Sequence, residues 1–430
     1  MPPGPVPVSC SEPGGDAAIP RELTGAAGRT LAALLTCVEA WLARSAESSG
    51  LGFHPAADDV DPDAVPELLL TTEALLRLIG ESQPDSDTAE AVGLGCFHLA
   101  EWAEERGALS TALAWAQAAI AAWPQQPHYA YLIGRLARKR AQYAHAEEWL
   151  RYAMRLSRRR MVWEVYTLSL SGYANLKRQK GNLPGATRFH RLALKSARRH
   201  QLRSLEGDAL YDLAVIAIDS GDAHGAIRYG REALHVYGPG HTRVLRLAHD
   251  FAWLLMNNFG EFEPAATIMQ ALVPHIWEPP FRVLLFANLC RACAGADWEA
   301  LFERAWIDTW ALLQYAPTKN GHARALLQLA YAAGRMGSWE RARMATEAAV
   351  AIARERQEAE ALLEADAILA AISDGEVDPQ RLLVAAPDCR WLSIDHTPSL
   401  PTHDFVDDIA ATLRTRRDDA PVSPVLSLIG

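Results

Sequence analysis

The feature that most constrains this chain is a register of small residues that recurs along most of its length. When each segment is written so that a turn glycine falls at repeat position 15, one copy runs from Gly93. It carries Leu99-Ala100, Gly107, Ala112 and Ala119, and closes at Pro124. The next begins at Pro127 with Ile133-Gly134, Tyr143, Ala146 and Ala153, and Ala141 stands where the turn glycine should be. A third begins at Thr167 (Tyr173-Ala174, Gly181, Ala186, Ala193) and a fourth at Gly207 (Leu213-Ala214, Gly221, Ala226, Ala233). An equally clear copy begins at Ala323, with Leu329-Ala330, Gly337, Ala342 and Ala349. Two weaker ones surround Gly260 with Ala265, and Asp297-Trp298 with Ala300. Small side chains at matched positions let two helices approach closely. A hairpin of that size cannot bury its apolar faces alone and has to stack on its neighbours.

The stretches between turns are rich in Ala, Leu, Arg and Glu, with only Pro184 and Pro239 between Pro127 and Pro264. Apolar residues recur at three- and four-residue steps, as in Ala209–Leu213–Ile216, and two-residue alternation is scarce. The chain is therefore expected to be all-α. Small residues near positions 8, 20 and 27, with an aromatic at 17 (Tyr143, Phe262, Trp298, Trp339), resemble the tetratricopeptide repeat (TPR) family over roughly residues 90–355. Copy starts at 93, 127, 167, 207, about 246, about 282 and 323 are mostly longer than that family's usual repeat. The excess lengthens each helix by roughly one turn, as in the long-hairpin TPR domains of bacterial regulatory proteins. The resemblance implies a right-handed α-solenoid of about seven hairpins with helical caps. Four regions are expected: a disordered lead at 1–20, an N-terminal helical cap at 21–90, the solenoid at 91–373, and a Pro-rich irregular extension at 374–430. Within that extension only Phe405–Thr415 has a helical pattern.

Half the residues are hydrophobic and 22% are charged, which excludes an intrinsically disordered chain. The first twenty residues hold no Lys or Arg and no apolar core, unlike a secretory signal. No uninterrupted apolar run reaches membrane-spanning length, so no membrane partner is expected. Six cysteines in 430 residues do not make a disulfide framework, and a reducing cytoplasm is the economical compartment.

Candidates for chemistry are few. Cys290-Arg-Ala-Cys293 is the only CxxC pair and lies within an apolar helical stretch, where buried thiols are a simpler reading than a metal or redox site. Asp395, His396, His403 and Asp404 cluster in the Pro-rich tail, more as loop composition than as ligands. Phosphate-loop, zinc-protease and nucleophile-elbow patterns are all missing from the sequence, so neither an enzyme nor a cofactor is expected. Of the thirteen tryptophans, Trp115, Trp149, Trp298 and Trp339 take hairpin packing positions, whereas Trp163 and Trp391 match none.

Charge is distributed unevenly. Residues 135–203 hold 18 Lys/Arg against Glu147, Glu148 and Glu164, a net of +15, while the rest of the chain carries −25, giving the total of −10. The family's inner-surface positions fall here on Tyr131, Arg135, Arg138 and Lys139 in one copy and on Asn175 and Arg178 in the next. Further along they fall on Tyr211, Asp250, Asn257 and Asn258. A concave groove is thus expected to hold a protein or peptide segment, its basic half facing carboxylates through forked guanidinium bonds and its asparagines facing a peptide backbone. A solvated polar surface is the competing interpretation. The expected function is a non-catalytic adaptor. The alternatives are a peptide-sensing regulatory domain and, as the weaker one, an electrostatic nucleic-acid binder using the basic segment.

Overall fold

In a computed structural model, the described residues are 4–5, 22–46, 60–81, 85–315, 321–356, 358–373 and 402–416. Among them all regular structure is helical. The expected lead at 1–20 lies almost wholly outside the described residues, as do most of the Pro-rich extension, Asp395, His396 and Trp391. The chain divides into two compact units, 1–209 and 210–430.

In the first unit, α1 (Gly25–Ala46) and α2 (Leu69–Glu81) precede the helix pairs α3 (Ser86–Glu105) with α4 (Leu109–Ala122), α5 (Pro127–Lys139) with α6 (Tyr143–Arg160), and α7 (Trp163–Gln179) with α8 (Leu183–Arg199). Over Gly25–Ala43, α1 is long and apolar enough to cross a membrane, yet it packs Leu31, Leu34, Val38 and Trp41 into the protein core. The preceding Glu22 acts as a substitute cap. Ala108 cannot cap α4 with its side chain, and the Glu22 carboxylate accepts from the Ser110 and Thr111 amides at 2.9 and 2.8 Å. Helix α9 (Arg203–Asp219) contains the division between the units.

The second unit continues with α10 (Ala223–Tyr237), α11 (Arg243–Leu254), α12 (Phe262–Leu272), α13 (Pro279–Gly295), α14 (Glu299–Tyr315), α15 (His322–Arg335), α16 (Trp339–Arg356) and α17 (Ala359–Ser373). Helix α18 (Thr402–Thr415) folds back onto α10 and α12. The tail helix expected from Phe405 is thus an integral packing element. It buries Phe405, Ile409 and Leu413, and Arg416 bonds the carbonyls of Pro239 and His241 at 3.0 and 2.8 Å.

The turn register is the strongest link between sequence and backbone. Gly107, Gly181, Gly221, Gly260 and Gly337 all take positive φ, and so do Ala141 (φ 57°) and Asp297 (φ 57°) at the two copies that lack glycine. Most of these turns close in the same way. At the first, Ala108 N bonds Ala103 O and Gly107 N bonds Glu104 O; at the second, Gln142 N bonds Ala137 O and Ala141 N bonds Arg138 O. This double closure satisfies carbonyls that the helix end would otherwise leave unpaired. A Cβ in the left-handed region is strained. Ala141→Gly should therefore raise stability by about 1 kcal/mol, read as a higher urea midpoint; an unchanged or lowered midpoint would contradict it.

The small residues of the repeat face close neighbours. A methyl on Gly134 would lie 2.8 Å from Leu150 Cγ, and one on Gly295 would lie 2.2 Å from the Phe262 ring. Cys290 and Cys293 are fully buried in α13, and burial pushes the Cys293 thiol up to about 11. They pack there as small apolar groups.

Candidate functional site

In the first unit the expected groove residues occupy α5 and α7. Helices α5 and α7 pack on each other, and Gly172 on α7 faces Leu150 of α6, whose Cδ2 would lie 3.0 Å from a methyl there, while Tyr131 Cε2 on α5 would stand at an ordinary contact distance of 3.4 Å. Tyr131, Arg135, Arg138, Asn175 and Arg178 are half-buried, and Lys139 is exposed. Arg135 stacks its guanidinium over the Tyr131 ring at 5.5 Å.

These cations have a counter-ion that the charge pattern of residues 135–203 did not contain. Glu104, at the end of α3 and only 10% exposed, bonds Arg135 Nη2 through one carboxylate oxygen and Lys139 Nζ at 2.8 Å through the other. Together with Glu101 and Glu105 they line a cavity of about 290 Å³, in which three carboxylates outnumber the two cations. Two of the cations expected to line the groove on α5 are thus ion-paired to α3. A carboxylate ligand there would have to compete with Glu104.

Arg178 has a different neighbour. His190 on α8 is fully buried, and burial together with the Arg178 charge pushes its imidazole down to about 3. A second protonated cation beside Arg178 is strongly disfavoured.

Two residues expected in the second half of the groove, Tyr211 and Asn257, are buried. Tyr211 is buried and donates a short hydrogen bond to Asp250. Asp250 also faces His249 Nδ1 at 3.4 Å, and His249 Nε2 meets Asn288 Nδ2 on α13 at 3.1 Å. Further on, Arg291, 4% exposed, donates to Gln328 on α15 at 2.5 Å and lies over the Tyr331 ring. These polar contacts tie the first helix of one hairpin to the first helix of the next. Asn257 is 3% exposed and its amide turns back to the Trp253 carbonyl at 2.9 Å; Asn258 is half-buried. Both asparagines lie within a π-helical turn over Leu255–Phe259 that ends α11.

The remaining positive charge lies on the second helices. Arg155, Arg158, Arg159 and Arg160 on α6, and Arg188, Arg191, Lys195 and Arg199 on α8, are exposed. Some of the basic segment is internally neutralised. Glu147 gathers Arg151, Lys177 and Lys180 at 2.8, 3.5 and 3.4 Å, and Glu206 holds Arg198 at 2.8 Å. Among the described residues no cluster of His, Cys, Asp and Glu could hold a metal ion.

No family model and no curated protein matches the chain. Among solved structures it is similar to BtubC (BKLC) from P. vanneervenii, at 18% identity over 53% of this chain and 91% of that one, with a TM-score of 0.41. It is also similar to the TPR2AB domain of yeast Sti1 in its pHSP90 complex, at 14% identity over 66% of this chain and 99% of that one, TM-score 0.26. The TPR domain of P58(IPK) matches at 14% identity over 73% and 97%, TM-score 0.22.

Proposed function

We propose that the chain is a non-catalytic cytoplasmic scaffold that holds a protein or peptide segment against α5 and α7. The observation that supports this reading is the packed pair α5 and α7, on which Tyr131, Arg138, Asn175 and Arg178 all remain half-buried. An aromatic ring, guanidinium groups and an amide suit a polypeptide's carboxylates and amides.

The test is affinity capture from the native host's lysate with wild-type protein and the variant R138E/N175A/R178E. Arg135 is left in place, because a carboxylate there would face Glu104 and unfold the pair of hairpins. Loss of specific bands at unchanged helicity is the expected result. Identical bands from both proteins would end the proposal.

A further inference from the structure

We propose that the second-helix face of the first unit binds single-stranded nucleic acid, with one base entering a pocket where α6, α7 and α8 meet. The pocket is a cavity of about 370 Å³. Trp163, at the start of α7, lies parallel to His200 with ring centroids 4.3 Å apart and an interplanar angle of 8°. Tyr166 meets Trp163 edge-on at 6.0 Å. Trp163 falls outside the repeat's aromatic positions and, although stacked on His200, is only half-buried.

The pocket's charged lining comes from Arg158, Lys195 and Arg199, and no carboxylate contributes to it. From there the charge continues as a stripe. Arg188, Arg191, Lys195 and Arg199 recur at three- and four-residue steps on α8, a helix without a single Asp or Glu, and Arg155 and Arg159 are exposed on α6. Eleven residues of helix make a row about 16 Å long. Evenly repeated cations match a polymer whose charge is itself evenly repeated, and guanidinium forks fit phosphate oxygens. Aromatic faces beside such a row are the elements that hold unpaired bases without regard to sequence. An acidic peptide would share the charge, and Leu192 and Met161, 41% and 70% exposed, could receive its apolar side chain. The flat Trp163–His200 pair and the even stripe favour the nucleic acid.

The full chain is titrated with fluorescein-labelled twelve-residue oligothymidylate and read by anisotropy. Four to five phosphate contacts predict an affinity that falls about sixtyfold between about 50 and 200 mM salt. W163A should weaken binding about five- to a hundredfold, W163F should retain most of it, and K195E/R199E should abolish it. R191E tests the stripe without touching the pocket and should reduce the salt dependence. R138E/N175A/R178E should leave the affinity unchanged, which separates this site from the α5–α7 face. No binding at low salt, an unchanged affinity in W163A, or equal affinity for a tyrosine-bearing polyglutamate peptide would each overturn the proposal.

Discussion

Between about pH 6.5 and 4.5 the wild-type protein should lose about 2–3 kcal/mol of stability that an H190L variant does not lose. His190 is held at about 3 by burial and the neighbouring Arg178, whereas the imidazole of an unfolded chain titrates near its ordinary value of about 6.5. Across the interval the unfolded chain binds a proton that the folded one refuses. Stability is therefore fully present above the unfolded value and falls as the pH drops toward the folded one. Each pH unit inside that window contributes about 1.4 kcal/mol. Most carboxylates stay ionised throughout it, so the difference between the two proteins isolates His190. Leucine has about the volume to fill the site, and its apolar surface suits a position with no exposure. Urea midpoints at the two pH values measure the effect. Parallel slopes for wild type and variant would show that His190 charges freely in the fold.

G230A should destabilise the second unit by about 2 kcal/mol, although alanine is the better helix former. Gly230 lies in α10, and a methyl there would sit 2.3 Å from Phe251 Cζ and 3.2 Å from Phe405 Cζ. Phe251 is 2% exposed and has nowhere to move. Phe405 stands on α18, edge-on to Phe251 with ring centroids 4.9 Å apart, and is further held by Arg231, whose guanidinium lies 5.6 Å from the Phe405 ring and reaches Asp408 at 3.3 Å. The strain should thus be relieved by displacing α18. The gain in helix propensity is about 1 kcal/mol, too small to offset overpacking in a site this tight. Hydrogen exchange should show protection lost across 402–415 before it is lost in α10. A raised midpoint, or full protection of α18, would contradict this account.

The legibility of the chain differed by kind of interaction. Backbone punctuation was readable because it is local: the positive-φ turn needs a residue at one position, and even Ala141 and Asp297 adopt it when the flanking helices demand it. Helical pairing was readable for a related reason, since small residues at constant spacing have few other uses. Trp163 was flagged by elimination, as an aromatic that the repeat could not absorb, and it proved to line a cavity. Inner-surface residues were less legible. Tyr131, Arg135, Arg138, Asn175 and Arg178 lie half-exposed on α5 and α7, whereas Tyr211, which bonds Asp250 on a neighbouring helix, and Asn257, inside the π turn at Leu255–Phe259, are buried. The charge block located the cations but not their partners, such as Glu104 on α3.

The amino-acid sequence by itself determined the helical hairpins, their turns and their spacing, because each depends on residues within one or two helical turns of one another. Only the tertiary structure decided which charges are spent. Glu104 is 31 residues from Arg135 in the chain and outside the basic block, yet it takes two of the three cations of α5, while Arg158 on α6 and Lys195 and Arg199 on α8 stay exposed around an aromatic pocket. Electrostatic pairing acts through space over a few ångströms. The function available to a basic residue is therefore set by the helix packed beside it, which no count along the chain can supply.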